Sequence, residues 1–319
     1  MMIDPTPDTE ISLSFDNQRA LVSPWGASLR QYFIVEADGG ETDILWGYSG
    51  GSHKKGGQGD VLCPFPGRIA EGCYSFDGQA FQLERNDKEG PNAIHGFVRT
   101  LPWKTHHADS HIVAFDVRLE AEQYGHRGYP FSLAIRVTYT LDSRGLSCSF
   151  AVQNVGGQAA PVGIEFHPYF TVGTALVDEA EAKIPGAGYV EFNERLAPTG
   201  SIIDAAGTEW DYRDYRRIGS SRLNHCYVQL ERDTEGMATA SLRHVESDRA
   251  IDIVMDRSFS AVVVYTGDAI ADAPRRALAI EPMTCATDAF NHPEWGLKRL
   301  VPDETFAGRY TVRHRRIQE

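Results

Sequence analysis

Between Leu133 and Val152 the chain alternates in a way that no helix can satisfy. Leu133, Ile135, Val137, Tyr139 and Leu141 are apolar at every second position, Asp142-Ser143-Arg144-Gly145 supplies a turn, and Leu146, Cys148, Phe150 and Val152 alternate back. A period of two puts all the apolar side chains on one face of an extended ribbon, so this stretch must fold as a hairpin and bury that face against a second layer. The same period opens the chain at Ile11, Leu13 and Phe15, and Tyr74 and Phe76 lead through Asp77-Gly78 to Phe81 and Leu83 as a second hairpin. Ile251 to Met255, Ser260 to Tyr265, Ala277 to Ile280 and Tyr310 to Val312 are rich in β-branched and aromatic residues and read as further strands. No window keeps an i, i+3, i+4, i+7 apolar register, which predicts few and short helices. The expected class is all-β, and strand spacing alone leaves a sandwich and a barrel both open.

The chain has 319 residues and no Pro/Ser-rich linker, run of like charge or fixed-period repeat, so one β domain over 1–319 is the economical organisation. Its 31 Lys and Arg stand against 44 Asp and Glu, a net charge of −13. That field opposes nucleic acid, whose binding needs a cationic surplus. Apolar runs such as Ala261 to Tyr265 fall far short of the roughly 20 residues that cross a bilayer. The N-terminal MMIDPTPDTE lacks the basic and apolar regions of an export signal, and five scattered cysteines, Cys63, Cys73, Cys148, Cys226 and Cys285, show no paired spacing. The expectation is a cytoplasmic protein with reduced thiols, no membrane contact and a monomeric or homodimeric state.

Several motifs have bland readings that outweigh the chemical ones. Gly47-Tyr48-Ser49-Gly50-Gly51 has the spacing of a hydrolase nucleophile elbow, but a glycine-rich loop follows where a helix is required. That loop, with Lys54-Lys55-Gly56-Gly57, lacks the P-loop pattern and reads as a mobile surface segment. His106, His107 and His111 cluster as metal ligands do, yet Ala108-Asp109-Ser110 reads as a turn and no partner Glu or Cys pair accompanies them. No metal and no cofactor are expected.

Two segments resist dismissal. Gly163-Ile164-Glu165-Phe166-His167-Pro168 sets an imidazole among apolar neighbours, immediately before a proline that holds His167 extended. Ala277-Leu278-Ala279-Ile280-Glu281-Pro282 places a carboxylate at the end of an apolar strand. Together they offer an acid and a base, to which His95 and Arg68 add an imidazole and a guanidinium suited to a polyhydroxylated ligand.

At these residues the chain resembles the aldose 1-epimerase, or galactose mutarotase, family. The likeness runs in order through PFPGRIA (Pro64 to Ala70) and the GCYSFDGQAFQL hairpin, AIHGF (Ala93 to Phe97) with Trp103 after it, EFHPYF (Glu165 to Phe170), APTG (Ala197 to Gly200), LNHCYV (Leu223 to Val228) and AIEP (Ala279 to Pro282). It implies a large antiparallel β-sandwich of the mutarotase type, free of cofactor, with an open sugar-binding cleft. Carried over, His167 is the general acid at the ring oxygen and Glu281 the base at the anomeric hydroxyl, with Arg68 and His95 contacting sugar hydroxyls. Two positions depart from the family pattern. Gly67 precedes Arg68 where an Asn is common, and Asn224 precedes His225 where an acid is usual. Both bear on hydroxyl recognition, because an amide at Asn224 is a mixed donor and acceptor.

The leading expectation is therefore a mutarotase for a free hexose. Two other readings remain open: an epimerase of a hexose 6-phosphate or sulfonated hexose, with Lys54 and Lys55 meeting the anion, and a sugar-binding module without catalysis.

Overall fold

In the computed structural model, which describes residues 10–49 and 53–318, the Leu133–Val152 alternation becomes the longest hairpin of the molecule. Leu133–Asp142 pairs antiparallel with Gly145–Asn154 in unbroken register, from Leu133 opposite Asn154 to Asp142 opposite Gly145. Gly145 closes the turn at φ 111°, and a Cβ there would lie 2.1 Å from the Val312 carbonyl oxygen. Only glycine combines that backbone with so close an approach.

This hairpin supplies the third and fourth strands of a nine-stranded sheet. The order is Lys104–Ala108, Ile112–Leu119, Leu133–Asp142, Gly145–Asn154, Thr305–Arg315, Arg249–Met255, Ala238–His244, Glu181–Lys183 and Arg216–Arg217. A second sheet of eight strands runs Pro198–Asp204, Gly186–Phe192, Asn224–Leu230, Ala261–Tyr265, Leu278–Met283, Glu165–Phe166 and Val61–Leu62, with Tyr169–Phe170 added against Leu278–Met283. Neighbours in both sheets pair antiparallel. The N-terminal strands Ile11–Phe15, Gln18–Ser23, Ser28–Val35 and Glu41–Asp43 form a four-stranded sheet of their own. Strand accounts for 47% of the structure and helix for 7%, with one α-helix among the described residues, Ala121–Tyr124, so the class is all-β. No helix of the described residues is long and apolar enough to cross a membrane.

The two large sheets meet through aromatic side chains. Phe166 of the eight-stranded sheet lies 5.1 Å from Tyr310 and 6.2 Å from Phe150 of the nine-stranded sheet, with Phe259 against all three. Truncating a fully enclosed ring such as Phe166 costs about 3–5 kcal/mol in transfer and cavity terms. The fold is thus a large β-sandwich: the alternation led one to expect the all-β class, and the family resemblance the sandwich.

Period two also builds the other side of the eight-stranded sheet. In Leu278–Met283, Leu278 and Ile280 enter the common core, which leaves Ala279, Glu281 and Met283 on the opposite face. Val262 and Val264 likewise point inward and Val263 and Tyr265 outward, with Cys226 opposite Val263 and Asn224 opposite Tyr265. That outer face is the floor of the candidate site.

The lysine-containing loop differs from its expected role as a mobile surface segment. Gly50, Gly51 and Ser52 lie outside the described residues, and with them the end of the G-x-S-x-G stretch. From Lys54 onward the chain is tied to the body: Lys54 pairs with buried Asp60, Gln58 donates to the Trp46 carbonyl at 2.9 Å, and the Tyr169 hydroxyl donates to the Gly56 carbonyl at 2.9 Å. Gln58 and Asp60, just past the glycines, are the buried polar anchors that composition alone passes over.

Candidate active site

A cleft of about 780 Å³ opens over the floor just described. His167, Glu281, Arg68, His95 and Asn224 all line it, so the structure brings together every residue singled out from the sequence. Lys55 lines it as well, whereas Lys54 is engaged with Asp60.

His167 sits between the short strands Glu165–Phe166 and Tyr169–Phe170, both bonded to Leu278–Met283. Its amide donates to the Asp60 carbonyl and its carbonyl accepts from Gly59, at 3.0 and 2.9 Å. The ring stacks on Tyr169 with centroids 5.1 Å apart and meets His95 edge-on at 5.7 Å. Nε2 of His167 lies 3.4 Å from Oε2 of Glu281, although 114 residues separate the two in sequence. Both side chains are more than nine-tenths buried.

Burial decides their charge. Loss of solvent, reinforced by the Arg99 guanidinium, pushes the His167 imidazolium down to about 3, so the ring is neutral near pH 7. Loss of solvent also pushes Glu281 well above the ordinary carboxylate range, and the neighbouring Glu165 carboxylate adds to the effect. A proton shared by the pair therefore favours the carboxyl group over the ring. An imidazolium beside a carboxylate is the same pair with that proton moved across 3.4 Å.

His95 holds a left-handed backbone, φ 66°, which a non-glycine residue adopts at a cost of about 1–3 kcal/mol. Its Nδ1 is buried without a hydrogen-bond partner among the described residues, a condition that a ligand hydroxyl can relieve. Arg68 directs Nε to Asp87 at 2.8 Å and Nη2 to Glu89 at 2.7 Å, which fixes the guanidinium in the cleft wall. Asn224 is exposed at the rim, next to His225, whose ring packs on Trp210 at 4.3 Å. Burial pushes His225 down to about 4.

Three groups in the wall were not singled out beforehand. Arg99 reaches Asp60 at 2.9 Å and projects its charge toward both cleft imidazoles. Tyr169 supplies the stacking surface for His167. Glu165 lies in the cleft floor, 1% exposed, and accepts a 2.7 Å hydrogen bond from the Gly67 amide. Its signal was present in the sequence: two positions before His167 in an extended segment means the same face.

Gly67 occupies φ 53°, and a Cβ there would come within 2.7 Å of Thr287 Oγ1. The absence of a side chain at 67 thus belongs to the local packing. The histidines of the outer hairpin go elsewhere. His106 and His107 lie on Lys104–Ala108, half exposed, and pair with Asp116 and Asp109 at 3.2 Å each.

A family model described as aldose 1-epimerase matches residues 9–313. The Escherichia coli K12 protein YihR, itself described as uncharacterized, is 32% identical over 234 residues, 73% of this chain and 71% of that one. Galactose mutarotase of Sus scrofa is 27% identical over 275 residues, 81% of this chain and 77% of its own. Among solved structures, a GalM/aldose epimerase homologue from C. elegans superposes with a TM-score of 0.84 at 19% identity, covering 97% of this chain and 99% of that one, a likeness of fold.

Proposed function

The chain belongs to the aldose 1-epimerase family, a family of isomerases, and we propose that it is a mutarotase that interconverts the α and β anomers of a free hexose. The observation that carries this reading is the convergence of His167 and Glu281, 3.4 Å apart, on a cleft the size of a small-sugar site. A binding module has no use for a buried acid and base held in reach of each other.

The reaction needs one proton delivered to the ring oxygen as another leaves the anomeric hydroxyl. Starting from the resting arrangement, Glu281 gives its proton to the ring oxygen as the C1–O5 bond breaks and its electron pair stays on O5. His167 takes the proton of O1 as the C1=O1 bond forms. Rotation about C1–C2 turns the other carbonyl face to O5, and the same transfers in reverse close the ring and restore the resting pair. When the pair begins instead as imidazolium and carboxylate, His167 protonates O5 and Glu281 is the base; opening and closing merely exchange roles. Arg68, His95 and Asn224 hold the sugar hydroxyls.

The cleft favours an uncharged sugar over a phosphorylated or sulfonated one. Arg68 is engaged by Asp87 and Glu89, and Lys54 and Arg99 share the single carboxylate of Asp60, so the cations nearest His167 and Glu281 are largely met by acids in the wall, while Lys55, which also lines the cleft, pairs with no acid among the described residues. A soluble cytoplasmic setting accords with this substrate.

The test is anomeric-proton NMR or polarimetry on freshly dissolved α-glucose and α-galactose. Wild-type protein is expected to accelerate equilibration, and Glu281→Gln and His167→Asn to abolish the acceleration. No acceleration of either sugar by wild type, with acceleration of a 6-phosphate or sulfonated hexose, would replace the free-sugar reading.

A further inference from the structure

The cleft floor holds one more acid than the ring-opening chemistry requires. Glu165 stands opposite Met283 in the pairing of Glu165–Phe166 with Leu278–Met283, so Glu165 and Glu281 are diagonal neighbours on the same face of adjacent strands. Both side chains are almost wholly buried and line the same cleft. Two carboxyl groups so placed cannot both be charged at small cost, so one of them carries a proton. No N–H or O–H among the described residues reaches Oε1 of Glu281, whereas Oε2 of Glu165 accepts from the Gly67 amide at 2.7 Å. Glu165 thus has a fixed main-chain donor at 2.7 Å, whereas Glu281 has near it, among the described residues, only the His167 ring nitrogen, at 3.4 Å.

We propose that Glu165 is a positioning residue for the reaction's proton: Glu165 and Glu281 form a carboxyl–carboxylate pair with one proton, and the Gly67 amide, by stabilising the Glu165 anion, keeps that proton on Glu281. Of the remaining charged groups, Arg99 adds to this bias, because it favours the Glu165 anion, while Arg68 acts on both members of the pair. His167 faces Glu281 as a neutral ring, and Tyr169, Tyr265, Cys226 and Cys285 surround the pair in un-ionised form.

The consequence is directional. Before reaction the proton is on Glu281, ready for the ring oxygen. Once it has left, the floor holds two adjacent anions opposite an imidazolium, and their repulsion draws the proton back from O5 as His167 returns its own to O1. Glu165 therefore favours reclosure of the ring over release of the free aldehyde.

The proposal rests on the mutarotase reading for its kinetic arm alone. In the pH dependence of kcat, wild type is expected to lose activity on the alkaline side as Glu281 ionises, and Glu165→Gln to move that limb down by about one pH unit or more, a tenfold or greater change in proton affinity. Glu165→Asp, which keeps the charge, is expected to restore the limb toward wild type. An unmoved limb in Glu165→Gln, or a uniform loss of kcat without change of shape, overturns the proposal. The second arm needs no turnover. Infrared difference spectra taken as pH is raised are expected to show a protonated buried carboxyl in wild type that is absent from Glu281→Gln and that ionises about one pH unit or more lower in Glu165→Gln. Absence of that band from wild type, or ionisation at an unchanged pH in Glu165→Gln, refutes the shared proton whether or not the protein turns over a sugar. Should Glu165→Gln fail to fold, the band must survive in Glu165→Asp and vanish in Glu281→Gln; the opposite pattern overturns the proposal.

Discussion

The molecule carries histidines in two settings that look alike on paper and behave as opposites. His106 and His107, with His111 four residues beyond His107, sit close together on an outer hairpin, where spacing alone suggests metal ligands. His95, His167 and His225 are scattered over 130 residues, yet all line one cleft. The outer rings lie half in water against exposed acids, whereas the cleft rings are buried and forced neutral, His167 down to about 3 and His225 to about 4. Proximity in sequence conveys little about a site that strand order assembles. Burial, and the partners that burial forces on a group, is what gives an imidazole its chemistry.

The hardest test of this contrast is catalytic. Glu281→Gln and His167→Asn are each expected to lower kcat by about 10²–10⁴ with a smaller change in KM. Because the two groups pass one proton between them, the double variant should be scarcely slower than either single one, which anomeric-proton NMR can establish. Losses that multiply would mean that the two residues act independently.

A second test uses acid. A histidine neutral in the fold and charged in the unfolded chain contributes stability that is complete above about pH 6.5 and declines below it, by about 1.4 kcal/mol per pH unit for each such group. Three cleft histidines have depressed values, so stability measured by urea titration should fall between pH 6.5 and 4.5. Glu165 and Glu281 work in the opposite sense: their folded values are raised, so the stability they contribute is present below the ordinary carboxylate range and lost as pH rises. The histidines outnumber this offset as the pH falls. Stability that rises on acidification through this window would contradict the neutral cleft.

Smaller effects belong to the rim and the outer hairpin. Asn224→Ala, at the exposed edge of the cleft, is expected to raise KM about 3- to 10-fold, the equivalent of one hydrogen bond to a sugar hydroxyl. His106→Ala and His107→Ala should each change stability by no more than about 0.5 kcal/mol and leave kcat/KM as it was, because they touch only solvent-exposed partners.

How far the sequence reveals all this depends on the range of the interaction involved. Strand and hairpin positions were legible because period two and turn chemistry are local: Asp77-Gly78 and Asp142 to Gly145 turn where they should, and Leu133–Asp142 alternates throughout. His167 and Glu281 were legible as residue types at the ends of apolar strands and through the family resemblance, but their meeting depends on the pairing of strands far apart in the chain. Arg99 and Asp60 gave no signal, since an isolated arginine in Phe97-Val98-Arg99-Thr100 resembles any surface cation until the fold sets it against a buried acid. The lysine-containing loop misled because glycine content reports freedom of the chain, not what nearby Gln58 and Asp60 bond to once they are buried.

The Gly67 amide has a bearing on how such a cleft can evolve. Because the donor to Glu165 is main chain, no side-chain replacement other than proline removes it, and any side chain at 67 must first displace Thr287. Positions 67 and 287 thus form a compensatory pair. A lineage that gains a side chain at 67 is expected to carry a smaller residue at 287, while the acid at 165 is free to stay, because its donor is main chain.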